Sequence, residues 1–385
     1  MNNNRVAAAV SAGLCSFALS AHATNGDQMT ALSAAQAGMG SATVAQAQDA
    51  LTVLVNPAGM ADLGMQDVRM DLGFGLLNPP REVNGQESDS NWYMMPTGAV
   101  AFKVNERLFL GMGLGGISGM GVNVPDIYPA LEPAPNTEQA VVTTKQVFRF
   151  SPAAAFKVNQ ALTLGASLNV VNQSLAMTTP QFSLPQNQQF GFGATLGATY
   201  KINPRLQAGL VYTSKTDIAT MEYNTPTGRT TLDMDMPASL ALGLSFRPMT
   251  GLQVEFDIKR YAFEDVMESI PLNTPTGVTP LNFGWEDQTV YAIGVKKDMG
   301  KMAVSVGYNY GKSPIGAEDV NMNLGSTAIV ESHLSFGLTR KFSDKVSGSF
   351  AYTHAFGNDL TSTVAPYNTI EIHQNQYNFN VSYLF

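Results

Sequence analysis

The last twelve residues, QNQYNFNVSYLF, alternate between two chemistries. Tyr377, Phe379, Val381, Tyr383 and Phe385 share one face, and Gln376, Asn378, Asn380 and Ser382 share the other, with Leu384 the only break. A period of two with an aromatic face and a polar face describes a strand lying between two different solvents. The rhythm recurs along the chain. Leu72, Phe74 and Leu76 oppose Asp71, Gly73 and Gly75, and Leu108, Leu110, Met112 and Leu114 oppose Phe109, Gly111, Gly113 and Gly115. Leu162, Leu164, Ala166 and Leu168 oppose Thr163, Gly165, Ser167 and Asn169. Met302, Val304, Val306, Tyr308 and Tyr310 oppose Ala303, Ser305, Gly307, Asn309 and Gly311. One face suits lipid and the other is small or polar, as in a transmembrane barrel strand. So many glycines would be costly in a helix.

Composition points the same way. Only 14% of the 385 residues are charged, where a soluble domain carries about 25%. Beyond the first 25 residues no apolar run reaches the roughly 20 residues of a membrane-spanning helix. A balance of 22 Lys and Arg against 30 Asp and Glu argues against a nucleic-acid partner. At the N-terminus Arg5 precedes an apolar stretch, Val6 to Leu19, and Ala21-His22-Ala23 forms a small-x-small cleavage site. Residues 1–23 read as a secretory signal peptide. Cys15, the one cysteine, leaves with it, which excludes disulfides and thiolate chemistry in the mature chain.

A repeated plan sets the strand count. AFKVNERLFLGMG, AFKVNQALTLGAS and TYKINPRLQAGLV each join an aromatic strand end, a basic residue and a short turn to a new alternating strand. Later versions are centred on Met249, Met299 and Ser343, after turns at Asn105, Asn159 and Asn203. Longer connections are expected at Asn78–Asn91, Ser118–Gln139, Ser174–Gln188, Lys215–Thr227, Phe263–Gly284, Ser313–Ser326 and Gly357–His373. Six turns and seven loops give fourteen strands from about residue 67, an even number with periplasmic turns and extracellular loops. The expected fold is all-β, a transmembrane antiparallel β-barrel spanning 67–385. Closure removes every unpaired edge from the bilayer.

Residues 24–66 carry no strand rhythm and are rich in Ala, Gly and Gln. They read either as a compact plug for a wide lumen or as a periplasmic tail, and Leu51, Val53, Leu54, Met60 and Leu63 weigh against disorder. Within this segment Asn25-Gly26-Asp27, Gly38-Met39-Gly40, Gln48-Asp49-Ala50 and Asn56-Pro57-Ala58 occur in the order seen in the FadL/TodX family of outer-membrane transporters, which the chain resembles over its mature length. The resemblance implies an N-terminal hatch in the lumen, formed around Asn25, Gly26, Asp27, Gly38, Gly40, Asn56, Pro57 and Ala58. It also implies passive uptake of hydrophobic small molecules, long-chain fatty acids or related hydrocarbons, leaving sideways through the wall at a kinked third strand. No cofactor or metal is implied, the surrounding partner is outer-membrane lipid, and a monomer is expected. An aqueous diffusion porin and an adhesin are the competing readings.

Gly115, Gly116 and Gly119 break the third strand's regularity, as at a bulge or bend. They mark either a lateral gate or a strand end. Lys145 and Arg149 share a face, as do Glu255, Asp257 and Lys259, and Glu331 and His333. Such cations suit a ligand carboxylate, or the charges pair across a wet lumen. Met39, Met112 and Met120 offer adaptable surface for ligands of varied shape, or serve as packing between plug and wall. Catalysis has little basis: three mature histidines, His333, His354 and His373, stand without a placed nucleophile, and GMGLGG is not followed by the helix a dinucleotide motif needs.

Overall fold

A computed structural model describes residues 24–128, 139–180, 182–225 and 228–385. The expected signal peptide lies outside the described residues. The wall comprises fourteen antiparallel strands. They are β1 Val68–Asn78, β2 Tyr93–Lys103, β3 Leu108–Val124, β4 Val141–Lys157, β5 Leu162–Thr178, β6 Ser183–Asn203 and β7 Leu206–Thr213. The circuit continues with β8 Ser239–Met249, β9 Leu252–Tyr261, β10 Gln288–Asp298, β11 Met302–Gly311, β12 Ser332–Lys341, β13 Val346–Thr361 and β14 Thr369–Leu384. Each strand pairs with its neighbour in sequence, and β14 returns to β1 through Leu384↔Arg69 to Asn375↔Asn78. The sheet therefore closes on itself, with no terminal edge strand.

The alternation sorts solvents as expected. Leu72, Phe74, Leu164, Leu168, Val306 and Phe379 are exposed outward, while Asp71, Ser167, Asn309 and Asn380 are buried inward. The short turns are built from their own side chains. Asn105 Oδ1 accepts from the amides of Arg107 and Leu108, both at 2.9 Å, and Asn159 Oδ1 accepts from Ala161 and Leu162, both at 2.8 Å.

Several expected loops are shorter than the sequence suggests. β3, β4 and β5 each run 17 residues and β6 runs 21. Ser174 and Gln188, expected to bound a loop, are paired across β5 and β6. β3 continues to Val124, and Thr361 pairs with Thr369 across β13 and β14. The reason is a change of solvent partway up the wall. Beyond the bilayer Asn172 and Thr178 face out, while Val171, Leu175 and Met177 are buried inward. The lipid-facing pattern ends there, but backbone pairing continues. Those inward side chains join Met221, Tyr223, Met234, Phe263, Phe283 and Trp285 in an apolar cluster beneath the loops. Phe263 and Trp285 meet edge-on at 5.1 Å. A second sheet of four short strands, at 221–225, 228–232, 270–274 and 277–281, roofs this cluster.

Residues 24–66 lie within the ring of strands and are almost wholly buried. Ser33 caps a short helix at Ala34–Ala37, Asp49 caps a 3-10 turn at Ala50–Leu54, and Asn56 caps another at Pro57–Asp62. Their backbone presses directly on the wall where the wall has no side chain. A Cβ on Gly165 would collide with the backbone of Pro57 and Ala58, and one on Gly307 with that of Met39 and Gly40. One on Gly337 would stand 2.8 Å from Gly38 Cα. Gly307→Ala is expected to lower unfolding stability by about 1–3 kcal/mol through overpacking. Val306→Ala, on the lipid side of the same strand, should cost less. Urea unfolding in detergent micelles compares the two.

Candidate functional site

The wall parts between β2 and β3. Their pairing runs from Lys103↔Phe109 to Thr97↔Gly115 and stops. Above that point Tyr93 to Pro96 remain paired to β1, while β3 follows β4 through a register shift between Gly116 and Ser118. Pro96 has no N–H to offer across such a gap. Gly115 and Gly116 thus stand at the parting, and Gly119 just beyond it.

The freed edge of β3 is taken by the start of the N-terminal segment. Thr24–Asn25 pairs with Gln28–Met29 around Gly26, whose φ of 59° suits glycine. Gln28 then pairs with Ser118, and the Gly119 amide donates to the Asp27 carbonyl at 3.0 Å. The Asp27 carboxylate accepts from Ser118 Oγ at 2.8 Å and from Gln28 Nε2 at 2.6 Å, and it pairs with Lys145 Nζ at 2.7 Å. Both ions are buried, at 2% and 1% exposure. The sequence offers Lys145 as a ligand cation, but its charge is already matched by Asp27.

Two cavities flank Met29. A narrow one of about 20 Å³ opens at the parting, lined by Met94, Met95, Gly116, Ser118 and Phe148. A larger one of about 130 Å³ lies inside, bounded by Leu32, Leu54, Ile117, Arg149, Val211 and Tyr261. A recess of about 340 Å³ among the turns at Lys201, Asn203, Arg205 and Arg247 is remote from both. Arg149 Nη2 donates to the Leu54 carbonyl, and its Nε is buried without a partner. Among the described residues no carboxylate lies within 4.0 Å of this guanidinium. Lys259, on the same cavity, is engaged by Ser41 O at 2.7 Å and Ser41 Oγ at 3.0 Å. Asp257 accepts the amides of Thr43 and Val44 at 2.8 and 3.1 Å. Asp257 and Lys259 of β9 therefore grip the N-terminal segment, whereas Glu255 accepts from Gln253 Nε2 on its own strand.

The remaining sequence candidates separate by position. Asn56 Nδ2 donates to Val44 O at 2.8 Å and to Ala198 O at 3.3 Å, tying the Asn-Pro-Ala turn to β6. Gly38, Met39 and Gly40 pack on β10 to β12, away from either cavity. Met120 is buried in the upper apolar cluster. Met112 needs correction as an interior candidate: it is exposed on the lipid-facing side with Leu110 and Leu114, because β3 keeps its alternation below Gly115. Ile117 and Tyr261 were not singled out from the sequence. Tyr261 continues the inward column of Glu255, Asp257 and Lys259, a signal that was present. At His333, Ser335 Oγ bonds Thr353 Oγ1 at 2.8 Å rather than the imidazole.

The sequence matches, over residues 15–383, the family model described as outer membrane protein transport protein (OMPP1/FadL/TodX). The chain belongs to this family. No curated protein sequence matches it. The fold of this OMPP1/FadL/TodX member is similar to that of the toluene transporter TodX of Pseudomonas putida, with a TM-score of 0.77 at 20% identity over 92% of this chain and 98% of that one. It is also similar to the Ralstonia pickettii toluene transporter TbuX, at 0.75 and 18% over 92% and 99%. A Pseudomonas aeruginosa FadL homologue gives 0.74 and 13% over 93% and 99%. The barrel accordingly belongs in the bacterial outer membrane as a transport protein, with its short turns at the periplasmic side.

Asp49 anchors the opposite end of the N-terminal segment. It accepts from Ser33 Oγ, from Gln36 Nε2 at 3.2 Å and from the Leu51 amide at 3.0 Å. Burial pushes its carboxyl up to about 6, with the Asp71 charge adding and Arg69 opposing. The folded chain thus holds this proton more tightly than the unfolded one. Asp49 should favour the fold at low pH and lose that contribution as pH rises through about 6. In Asp49→Asn, which keeps a capping acceptor, thermal stability between pH 4 and 7 should flatten relative to wild type. For the pair near the parting, Asp27→Asn or Lys145→Met alone should cost about 3–5 kcal/mol by stranding a buried charge. The combined variant should recover much of the loss in denaturant unfolding.

Proposed function

We propose that the protein takes up hydrophobic small molecules, long-chain fatty acids or related hydrocarbons, by passive diffusion across the outer membrane. The observation that carries this reading is the parting of β2 and β3 with a cavity directly behind it. Ligand enters at the apolar cluster beneath the loops, occupies the cavity beside Arg149, and leaves sideways past Met29 into the bilayer. Each apolar surface on that route stabilises it by about 25 cal/mol per Å² removed from water. Gly115, Gly116 and Gly119 form the lateral gate. Residues 1–23 act as the signal peptide, 24–66 as the hatch and 67–385 as the barrel, which works as a monomer in lipid and performs no catalysis. The neighbours described as toluene transporters support the substrate class. The tightly packed interior segment disfavours an aqueous porin.

Arg149 narrows the ligand. An under-satisfied guanidinium beside a cavity lined by both apolar and polar side chains favours a molecule with an apolar body ending in a carboxylate. In reconstituted vesicles, Arg149→Gln should weaken oleate uptake about tenfold while leaving toluene uptake unchanged. Equal loss for both ligands would remove Arg149 from that role, and failure of the wild-type protein to pass either would overturn the transport reading.

A further inference from the structure

More than half of the 22 basic residues lie in or beside the six short turns, although the chain as a whole carries −8. The concentration is densest on the arc from β10 to β13, where Lys297, Lys301, Arg340, Lys341 and Lys345 gather within two hairpin turns. Two of these stand on the lipid-facing side. Lys297 follows Tyr291, Ile293 and Val295 in the outward column of β10, and Arg340 follows Leu334, Phe336 and Leu338 in that of β12. They flank β11 from either side: Lys297 pairs in register with Val304, and Arg340 with Met302.

Among the described residues neither cation has a carboxylate within 4.0 Å. Among the described residues Arg340 makes no ion pair, and its guanidinium rests over the Phe342 ring at 5.9 Å. Phe342 in turn lies over Gly348, where a Cβ would approach the ring to 2.9 Å, so a notch in the wall fixes the aromatic platform. Lys297 Nζ reaches the Thr250 carbonyl at 3.5 Å. Asp298 and Asp344 share these turns but form no ion pair within 4.0 Å among the described residues. Below the two outward cations, the Lys341 amide donates to Lys301 O at 2.8 Å, which brings two further ammonium-bearing residues together at the tips. Exposed Met299, Met302 and Phe342 supply apolar contact at the same level.

We infer that this arc is a binding seat for an anionic phospholipid of the periplasmic leaflet. Arg340 and Lys297, on the strands either side of β11, each present a cation at headgroup level, and the acyl chains lie along Met302, Val304 and Leu338. An arginine fork and a lysine suit phosphate oxygens, and clustered basic residues at a membrane surface draw anionic lipid. A zwitterionic headgroup brings an ammonium of its own, which Arg340, Lys297 and the neighbouring Lys301 repel. The seat is separate from the proposed transport route, on the other side of the wall from the interior cavity.

Native mass spectrometry of the purified full chain, in micelles doped equally with phosphatidylglycerol and phosphatidylethanolamine, tests this. Wild type should retain phosphatidylglycerol at least fivefold over phosphatidylethanolamine. Lys297→Gln/Arg340→Gln should fall to near parity, while Lys215→Gln/Arg229→Gln, which removes ion-paired cations of the opposite end, should behave as wild type. Arg340→Lys alone should give an intermediate preference. Equal retention of both lipids by wild type would overturn the proposal, and so would an undiminished preference in the Lys297/Arg340 variant. An equal loss in the Lys215/Arg229 variant would overturn it too, by reducing the effect to overall charge.

Discussion

The structure depends on the close approach of one backbone to another inside the barrel. Fourteen strands enclose more space than their own side chains fill, and residues 24–66 occupy it only because the wall gives way at glycine. Pro57 and Ala58 lie against Gly165, Met39 and Gly40 against Gly307, and Gly38 against Gly337. At these sites the N-terminal backbone takes the volume a side chain would hold. Dispersion contacts at that distance are individually small and collectively large. They also leave little room for slippage.

Packing alone would not fix where the segment sits, because small residues on small residues lack direction. Direction comes from buried carboxylates. Asp257 holds the Thr43 and Val44 amides, Asp71 holds the Ala50 amide at 2.8 Å while paired to Arg69, and Asp27 joins Lys145 to Ser118. Each places an ion where leaving it single would be expensive. Arg149 differs from these cations, because it faces a cavity and has no carboxylate to answer it among the described residues.

The parting of β2 and β3 follows from the same economy of backbone groups. A strand edge exposed in lipid would leave amides and carbonyls unsatisfied. Pro96 removes one donor on the β2 side, and the hairpin at 24–29 satisfies part of the β3 edge. An aperture in the wall is thereby made compatible with an apolar surround. The Asp27–Lys145 pair anchors that hairpin to β3 and β4, so the chain's first described residues and the parting form one unit.

The two-residue rhythm determined the barrel from sequence, since a wall between lipid and a filled interior must alternate along every strand. It also located the six turns, and at five of them an Asn, Asp or Ser side chain caps the turn's own backbone. It read the strand tops poorly at β5, β6 and β13, because the outward solvent becomes water above the bilayer and the pattern inverts while pairing continues. The inward glycines were visible in the sequence, but their purpose was not. Only the tertiary structure shows that Gly165, Gly209, Gly294, Gly307 and Gly337 face the backbone of the N-terminal segment. Likewise Lys145 and Arg149, four residues apart on one strand, look equivalent in sequence. Asp27, distant along the chain, neutralises the first and leaves the second to the cavity, and such long-range pairing is decided by how the closed sheet brings distant residues together.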